Sequence, residues 1–338
     1  MPPKLEPITP QDAQAMYLHS RTDIADSTQY AHEKRTDRFI DWCDKNEIKN
    51  INDLRGRDIH QYRIDEFTEK DDGEPYSAET VRGYLDTLRI FLRFAADIDA
   101  VPVGLAEKVS SPRPGKSRSK ELDADRATHI LENLATYEYA SLRHAFLHLL
   151  WRTAGRVGAL RGIDLADVDL GEQRIRIQHQ PREGTPLKNR WSSEREVAIK
   201  DDTARILGDY IEQHRHDVTD DQGREPLFTS KQGRRSIANL REIVYSVTRP
   251  CEWDGCPHDE TPESCQAAQR RAAASKCPTS VSPHPVRRGA ITHMLRSGVP
   301  KAVVSDRSDV SPDVLDEHYN ELSAAEKAER RRGFLDTI

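Results

Sequence analysis

Four separated segments of the chain carry side chains that could work together on a phosphate group. In TAGRVGALRGIDLADVDL (153–170), Arg156 follows a glycine at the end of an apolar helical stretch. In REGTPLKNRWSSEREVAI (182–199), Lys188 lies in a turn region bracketed by alternating sequence. In SPHPVRRGAITHML (282–295), His284 and Arg287 form an HxxR pair. In SDRSDVSPDVLDEHYNEL (305–322), Tyr319 is the only tyrosine after residue 245. Arginine forks grip phosphate or carboxylate at two points. Histidine moves protons near neutral pH, and a tyrosine hydroxyl can serve as a covalent nucleophile. Each segment alone is unspecific. An arginine after a helix is ordinarily a surface ion-pair partner, a turn lysine usually faces solvent, and HxxR is common by chance.

In their order and spacing the four segments resemble the tyrosine recombinase (phage integrase) family over roughly residues 150–322, with residues 9–105 more loosely similar to that family's helical core-binding domain. The resemblance implies a site made of an Arg in a TGxR segment, a turn Lys, an HxxR pair, a further His or Trp, and a Tyr nucleophile. These fall on Arg156, Lys188, His284, Arg287, Arg307 and Tyr319. There are three departures. Ala159 stands where a Glu is usual. Arg307 stands where His or Trp is usual, in SDR rather than LGH. Tyr319 lies 12 residues beyond Arg307 rather than the more frequent 9.

The implied activity is site-specific recombination: cutting and rejoining of duplex DNA through a 3′-phosphotyrosine. Arg156 and Arg287 would stabilise the charge of the pentacoordinate transition state. Lys188 would protonate the leaving 5′ oxygen, and His284 would assist proton transfer. Arg307 stays protonated, so a phosphate hydrogen bond is its expected role. No cofactor is expected for the chemistry. The implied partner is double-stranded DNA clamped between two domains, with a homo-tetramer on paired sites and a monomer or weak dimer when free. The tail after Tyr319, residues 323–336, is expected to dock on a neighbouring protomer, or alternatively to fold back on its own domain. Two competing readings are a type IB topoisomerase-like activity and a non-catalytic, zinc-stabilised DNA-binding regulator on the same scaffold.

These residues need a scaffold, and the rest of the sequence describes one. The 338-residue chain suggests two domains. Its 51 basic and 57 acidic residues give a net charge of −6, which argues against a simple polycationic DNA binder. The exception is SSPRPGKSRSK, where residues 111–120 hold four basic and no acidic side chains. Arginine outnumbers lysine 37 to 14. With the high acid content and few large apolar residues, this suggests a high-salt cytoplasm and an archaeal (haloarchaeal-like) branch of the family; bias towards Arg codons is the plain alternative. The acidic residues are expected on outer faces and the arginines along a basic inner channel. No run approaches the roughly 20 apolar residues of a membrane helix, and Met1–Pro10 lacks a signal-peptide pattern, so a cytoplasmic protein is expected.

The expected fold is mainly α with a small β-sheet: a helical (SAM-like) core-binding domain followed by an α+β catalytic domain. We divide the chain into a flexible arm (1–8), the helical domain (9–105), a basic linker (106–121) and the catalytic domain (122–338). Helical patterns cover Ser27–Lys45, with Tyr30, Phe39, Ile40, Trp42 and Cys43 as buried candidates. Another follows a Ser77 cap, with Val81, Leu85, Leu88, Leu92 and Ala95 at helical spacing. Asp123 can cap a helix through Ala135, and an apolar helix spans Ser141–Thr153. Alternation over Arg174–Gln180 and Arg195–Ile199 predicts a hairpin. Helices are expected at 202–214, 236–249, 286–297, 311–319 and 323–335, the last with a Ser323/Glu326 capping box.

Four of five cysteines, Cys251, Cys256, Cys265 and Cys277, cluster in residues 250–278 with His258 beside them. Clustered thiols in a reducing compartment point to metal rather than disulfides. A structural zinc held by four Cys, or by three Cys and His258, is expected.

Overall fold

The computed structural model describes residues 5–70, 72–113, 120–319 and 332, with residues 317–319 described by their backbone alone. The chain forms two compact units, Met1–Arg118 and Ser119–Ile338.

In the first unit, four helices surround an aromatic core: α1 (Pro10–Ser20), α2 (Asp26–Lys45), α3 (Gly56–Phe67) and α4 (Ala78–Asp97). Ser77 caps α4 by accepting from the Thr80 amide at 3.2 Å. Val81, Leu85, Leu88, Leu92 and Ala95 then fall on its buried face. Each large apolar side chain so buried contributes about 1.5–3 kcal/mol. Phe39 and Tyr62 meet edge to face, with centroids 5.0 Å apart. Tyr30 departs from expectation. It is 61% exposed, because it lies in the second turn of α2 on the face away from Phe39 and Cys43, under the Lys34 ammonium.

The second unit contains α5 (Ala124–Tyr137), α6 (Leu142–Thr153), α7 (Val157–Gly162), β1 (Val168–Asp169), β2 (Arg174–Ile177), β3 (Arg195–Ala198), α8 (Asp201–Gln213), β4 (Thr229–Ser230), β5 (Gly233–Arg234), α9 (Ile237–Val247), α10 (Gln266–Gln269), α11 (Pro283–Arg296), α12 (Lys301–Ser308) and α13 (Pro312–Tyr319). The fold is mainly helical with small sheets, as expected. The sheet β1–β2–β3 is antiparallel, and β2 pairs with β3 in the register Ile175↔Val197. Asp123 caps α5 by accepting from the Asp125 amide, and Ser141 caps α6 by accepting from the His144 amide. α6 is buried along nearly its whole length, Phe146, Leu149 and Leu150 included. It forms the middle of the core, with α5, α8, α9 and α11 packed on it.

Two structural details position the site. Helix α11 begins at Pro283, three residues before the expected start. Proline is favoured in a first turn because its missing N–H would be unpaired there anyway. His284 and Arg287 therefore sit one turn apart on one helical face. At Gly289, a Cβ would lie 1.9 Å from the Leu122 carbonyl oxygen, so only glycine lets α11 meet the segment that enters α5. The Leu122 amide also donates to the Pro285 carbonyl at 3.0 Å. Among the described residues, no helix is long and apolar enough to cross a membrane. Residues 114–119 of the basic linker, the start of the N-terminal arm and, apart from residue 332, the expected 323–335 helix lie outside the described residues.

Candidate active site

Arg156 is delivered by the turn between α6 and α7. Ala154 closes α6 in the left-handed region, at φ 48°. Gly155 follows, where a Cβ would meet Leu160 Cδ2 at 2.7 Å. The Gly155 amide donates to Thr153 Oγ1, which itself donates to the Leu149 carbonyl. The turn is thus fixed, and Arg156 becomes the extended residue that starts α7.

Arg287 approaches from α11 and is 3% exposed. Its Nη1 donates to the Ala154 carbonyl at 2.5 Å and its Nη2 to the Asp309 carbonyl at 3.4 Å. The same turn that presents Arg156 therefore orients the second guanidinium.

Lys188 lies in the long connection between β2 and β3. A bridge between Gln180 and Thr185 narrows this loop. Leu187 anchors it in a small apolar cluster with Ala159, Ile177 and Val197. The Leu187 amide donates to His179 Nδ1 at 2.9 Å, so that ring nitrogen is an acceptor. The neighbouring Lys188 is exposed.

These elements line one cleft of about 690 Å³, walled by Arg156, Lys188, His284, Arg287, Arg288 and Asp309 among others. Desolvation within the cleft holds the His284 pKa below its usual 6.5, and Arg288, Arg287, Lys188 and Arg156 lower it further. Its imidazole is therefore neutral at neutral pH and able to accept a proton. The cations converge with a single carboxylate, Asp309, among the described lining residues. Such a cleft favours an anion whose charge grows during reaction.

Four of the six expected site residues share this cleft. Tyr319 ends α13, whose start flanks the cleft through Val314 and the preceding Ser311. Arg307 is not brought to the cleft wall, contrary to expectation. Its Nε and Nη2 donate to the Arg152 carbonyl at 3.2 and 2.9 Å, and its Nη1 donates to the Ala198 carbonyl at 2.6 Å. Burial lowers its pKa. The guanidinium ties α12 to the end of α6 and to β3.

Sequence reasoning missed Asn189, Ser193, Arg195 and Asp309. Arg195 is pulled below its usual pKa by burial; its Nε donates to the Arg307 carbonyl and its Nη1 to the Ser193 carbonyl. Asp309 accepts from Arg156 Nη1, Asn189 Nδ2 and Ser193 Oγ. An arginine in REVAI and an aspartate two residues after Arg307 carry no local pattern that marks them.

Zinc was expected here; among the described residues, no group of three or more His, Cys, Asp or Glu is arranged to hold a metal ion. The segment follows an irregular path. Cys251 lies in a short 3-10 turn, Cys265 precedes α10, and Cys277 is buried after another 3-10 turn. His258 is engaged elsewhere, with Nε2 2.7 Å from Thr279 Oγ1. The thiols are free. Burial raises the Cys251 pKa, Arg249 lowers it, and Cys256, Cys277 and Cys265 each raise it further.

Comparison with known proteins places this geometry. The sequence pattern described as "Phage integrase family" matches residues 120–325. Tyrosine recombinase XerD of Bifidobacterium longum is 24% identical over 319 residues, spanning 88% of this chain and 91% of XerD. Among solved structures, the Tn1549 transposon integrase in complex with transposon right-end DNA superposes with a TM-score of 0.70 at 13% identity, over 96% of this chain and 99% of that one. A lambda integrase dimer bound to a COC′ core site gives 0.63 at 12% identity, over 94% and 78%. At these identities the structural likeness establishes the shared fold.

Proposed function

This chain belongs to the phage integrase family, and from that premise we propose that it is a site-specific recombinase that cuts and rejoins duplex DNA through Tyr319. The observation that carries the reading is the single cleft holding Arg156, Lys188, His284 and Arg287 beside the helix that ends in Tyr319.

The scissile phosphate enters the cleft as an anion. The Tyr319 oxygen attacks phosphorus and passes its proton to the neutral His284. A Tyr–phosphate bond forms to the 3′ end, and the bond to the 5′ oxygen breaks. Lys188 protonates that leaving oxygen. Arg156 and Arg287 stabilise the added charge on the non-bridging oxygens. The bond energy is kept in the phosphotyrosine, so a 5′ hydroxyl from a partner strand can reverse the step without a cofactor. The DNA named with the Tn1549 and lambda integrase structures supports duplex DNA as the partner. Two paired sites exchanging strands call for four protomers, so a tetramer on DNA is proposed, with residues 323–336 as its docking segment. The acidic, arginine-rich composition supports placement in a salt-adapted archaeal branch acting in the cytoplasm.

A structural zinc remains the proposed tie for residues 250–278. Cys251 is within electrostatic reach of the other three thiols, and the segment holds only short helical turns. Metal analysis of purified protein should give about one zinc per chain. Metal-free protein with an unchanged melting curve after C256S/C265S replacement would end that proposal.

The test of function uses two duplexes carrying a site selected from a random pool by binding. Recombined products should appear from both duplexes. Relaxation of supercoiled DNA without exchange would instead identify a topoisomerase-like enzyme, and binding with neither outcome a regulator.

A further inference from the structure

We propose that Asp309 is a positioning residue: its carboxylate fixes the Arg156 guanidinium and the Lys188 loop in one arrangement before DNA arrives. The inference rests on the recombinase reading for its catalytic consequence, but not for its structural one.

Asp309 joins three elements that are distant in sequence. Its Oδ2 accepts from Arg156 Nη1 and, at 2.6 Å, from Ser193 Oγ. Asn189 Nδ2 donates to Oδ1 at 3.2 Å and to Oδ2 at 3.4 Å. Its main-chain carbonyl accepts from Arg287 Nη2. One residue thus touches the Arg156 and Arg287 guanidinium groups and the residue directly after Lys188.

The carboxylate is also needed. Helix α7 offers Arg156 no acceptor of its own one turn on, because Ala159 is buried there against Ile177, Leu187 and Val197. A bare guanidinium on a flexible stem would sample many rotamers, at an ordering cost of roughly 2 kcal/mol. Held by one Nη1, Arg156 keeps its remaining N–H groups for a phosphate.

A carboxylate in a phosphate cleft could instead be a stand-in for the substrate, displaced when DNA binds. The local structure favours a fixed post. Asp309 closes α12 in the left-handed region, at φ 53°, a conformation that Asp tolerates better than most residues. Its flanks are locked: the Val310 amide donates to the Ser305 carbonyl at 3.1 Å, and Ser305 Oγ donates to the Val310 carbonyl at 2.7 Å. Two neutral donors, Ser193 and Asn189, hold the side chain, which is 14% exposed. A displaceable plug would not need them.

The experiment compares the full-length wild type with Asp309→Asn and Asp309→Glu in two measurements. The first is hydrogen–deuterium exchange without DNA. Asp309→Asn should speed exchange at least several-fold across residues 186–193. Unchanged protection there would overturn the proposal whatever the enzyme does. The second is single-turnover formation of the covalent adduct on a nicked duplex. Asp309→Asn should slow it about 100-fold, the cost of a misplaced catalytic group, with the DNA dissociation constant within about threefold. Asp309→Glu should recover part of the rate. Combined with Arg156→Lys, the loss should be less than the product of the single losses, because both act through one guanidinium. Faster cleavage or tighter DNA binding by Asp309→Asn would overturn the proposal in favour of a substrate stand-in. Absence of adduct in the wild type would refute the recombinase reading, while the exchange measurement still decides the role of Asp309.

Discussion

Acid should loosen the helix that delivers Arg156, and His148 gives the reason. This side chain is 5% exposed within α6, with Nε2 3.0 Å from Thr203 Oγ1. Burial, with a smaller push from Arg152, lowers its pKa from 6.5 to about 4. The unfolded chain takes up this proton near pH 6.5, and the folded chain only near pH 4. Between those values the unfolded state binds more protons, so stability falls as pH falls. At about 1.4 kcal/mol per pKa unit, the full gap is worth about 3 kcal/mol. Roughly 2 kcal/mol of it is lost between pH 7 and pH 5. The assay is urea unfolding of the full chain at several pH values, followed by tryptophan fluorescence; Trp151, Trp191 and Trp253 all report on the second unit. Buried His32 and His144, and His284 in the cleft, shift in the same direction, so the comparison that matters is with His148→Gln, which keeps a hydrogen-bonding partner for Thr203. The variant should lose about 2 kcal/mol less than the wild type over this range. Equal losses in the two proteins would refute the reasoning.

Further predictions follow from the same geometry. Gly289→Ala drives a methyl into the Leu122 carbonyl and should destabilise the second unit by about 1–3 kcal/mol, read as a lower urea midpoint. Arg307→Ala should also destabilise it, by about 1–3 kcal/mol, because the hydrogen bonds from its charged guanidinium to the Arg152 and Ala198 carbonyls are lost; unchanged stability with weakened DNA binding would return Arg307 to the phosphate. Arg287→Lys keeps the charge but not the fork, so single-turnover cleavage should slow about 100- to 1,000-fold with DNA affinity little changed.

What could be read from the sequence was what local chemistry marks. α4 and α6 announce themselves by a serine cap and apolar positions at helical spacing, and the β2–β3 hairpin by its alternation. α1 and α3 do not: α1 buries only Pro10, Ala13 and Tyr17, and α3 only Ile59, Tyr62 and Phe67. Their stability comes from tertiary packing, which no local window contains. The two-residue strands β4 and β5 are too short to show a period. At the site, Arg156, Lys188, His284 and Arg287 were legible because their segments keep a recognisable order. Asp309 was not, since its partners lie 153 and 120 positions away. Arg307 shows the converse limit: its position in the sequence fits a ligand-binding role, but its direction depends on the carbonyls of Arg152 and Ala198. The cysteine spacing likewise signals proximity without fixing ligand geometry.

The central claim is that Tyr319 becomes covalently linked to DNA. The most direct measurement is mass spectrometry of the trapped adduct after nuclease and trypsin digestion. Cleavage after Arg307 and Lys327 yields the peptide 308–327, which contains Tyr319 as its one tyrosine. A 3′-linked nucleotide is expected on that peptide. A nucleotide on any other peptide, or a stable adduct that persists in Tyr319→Phe, would contradict it.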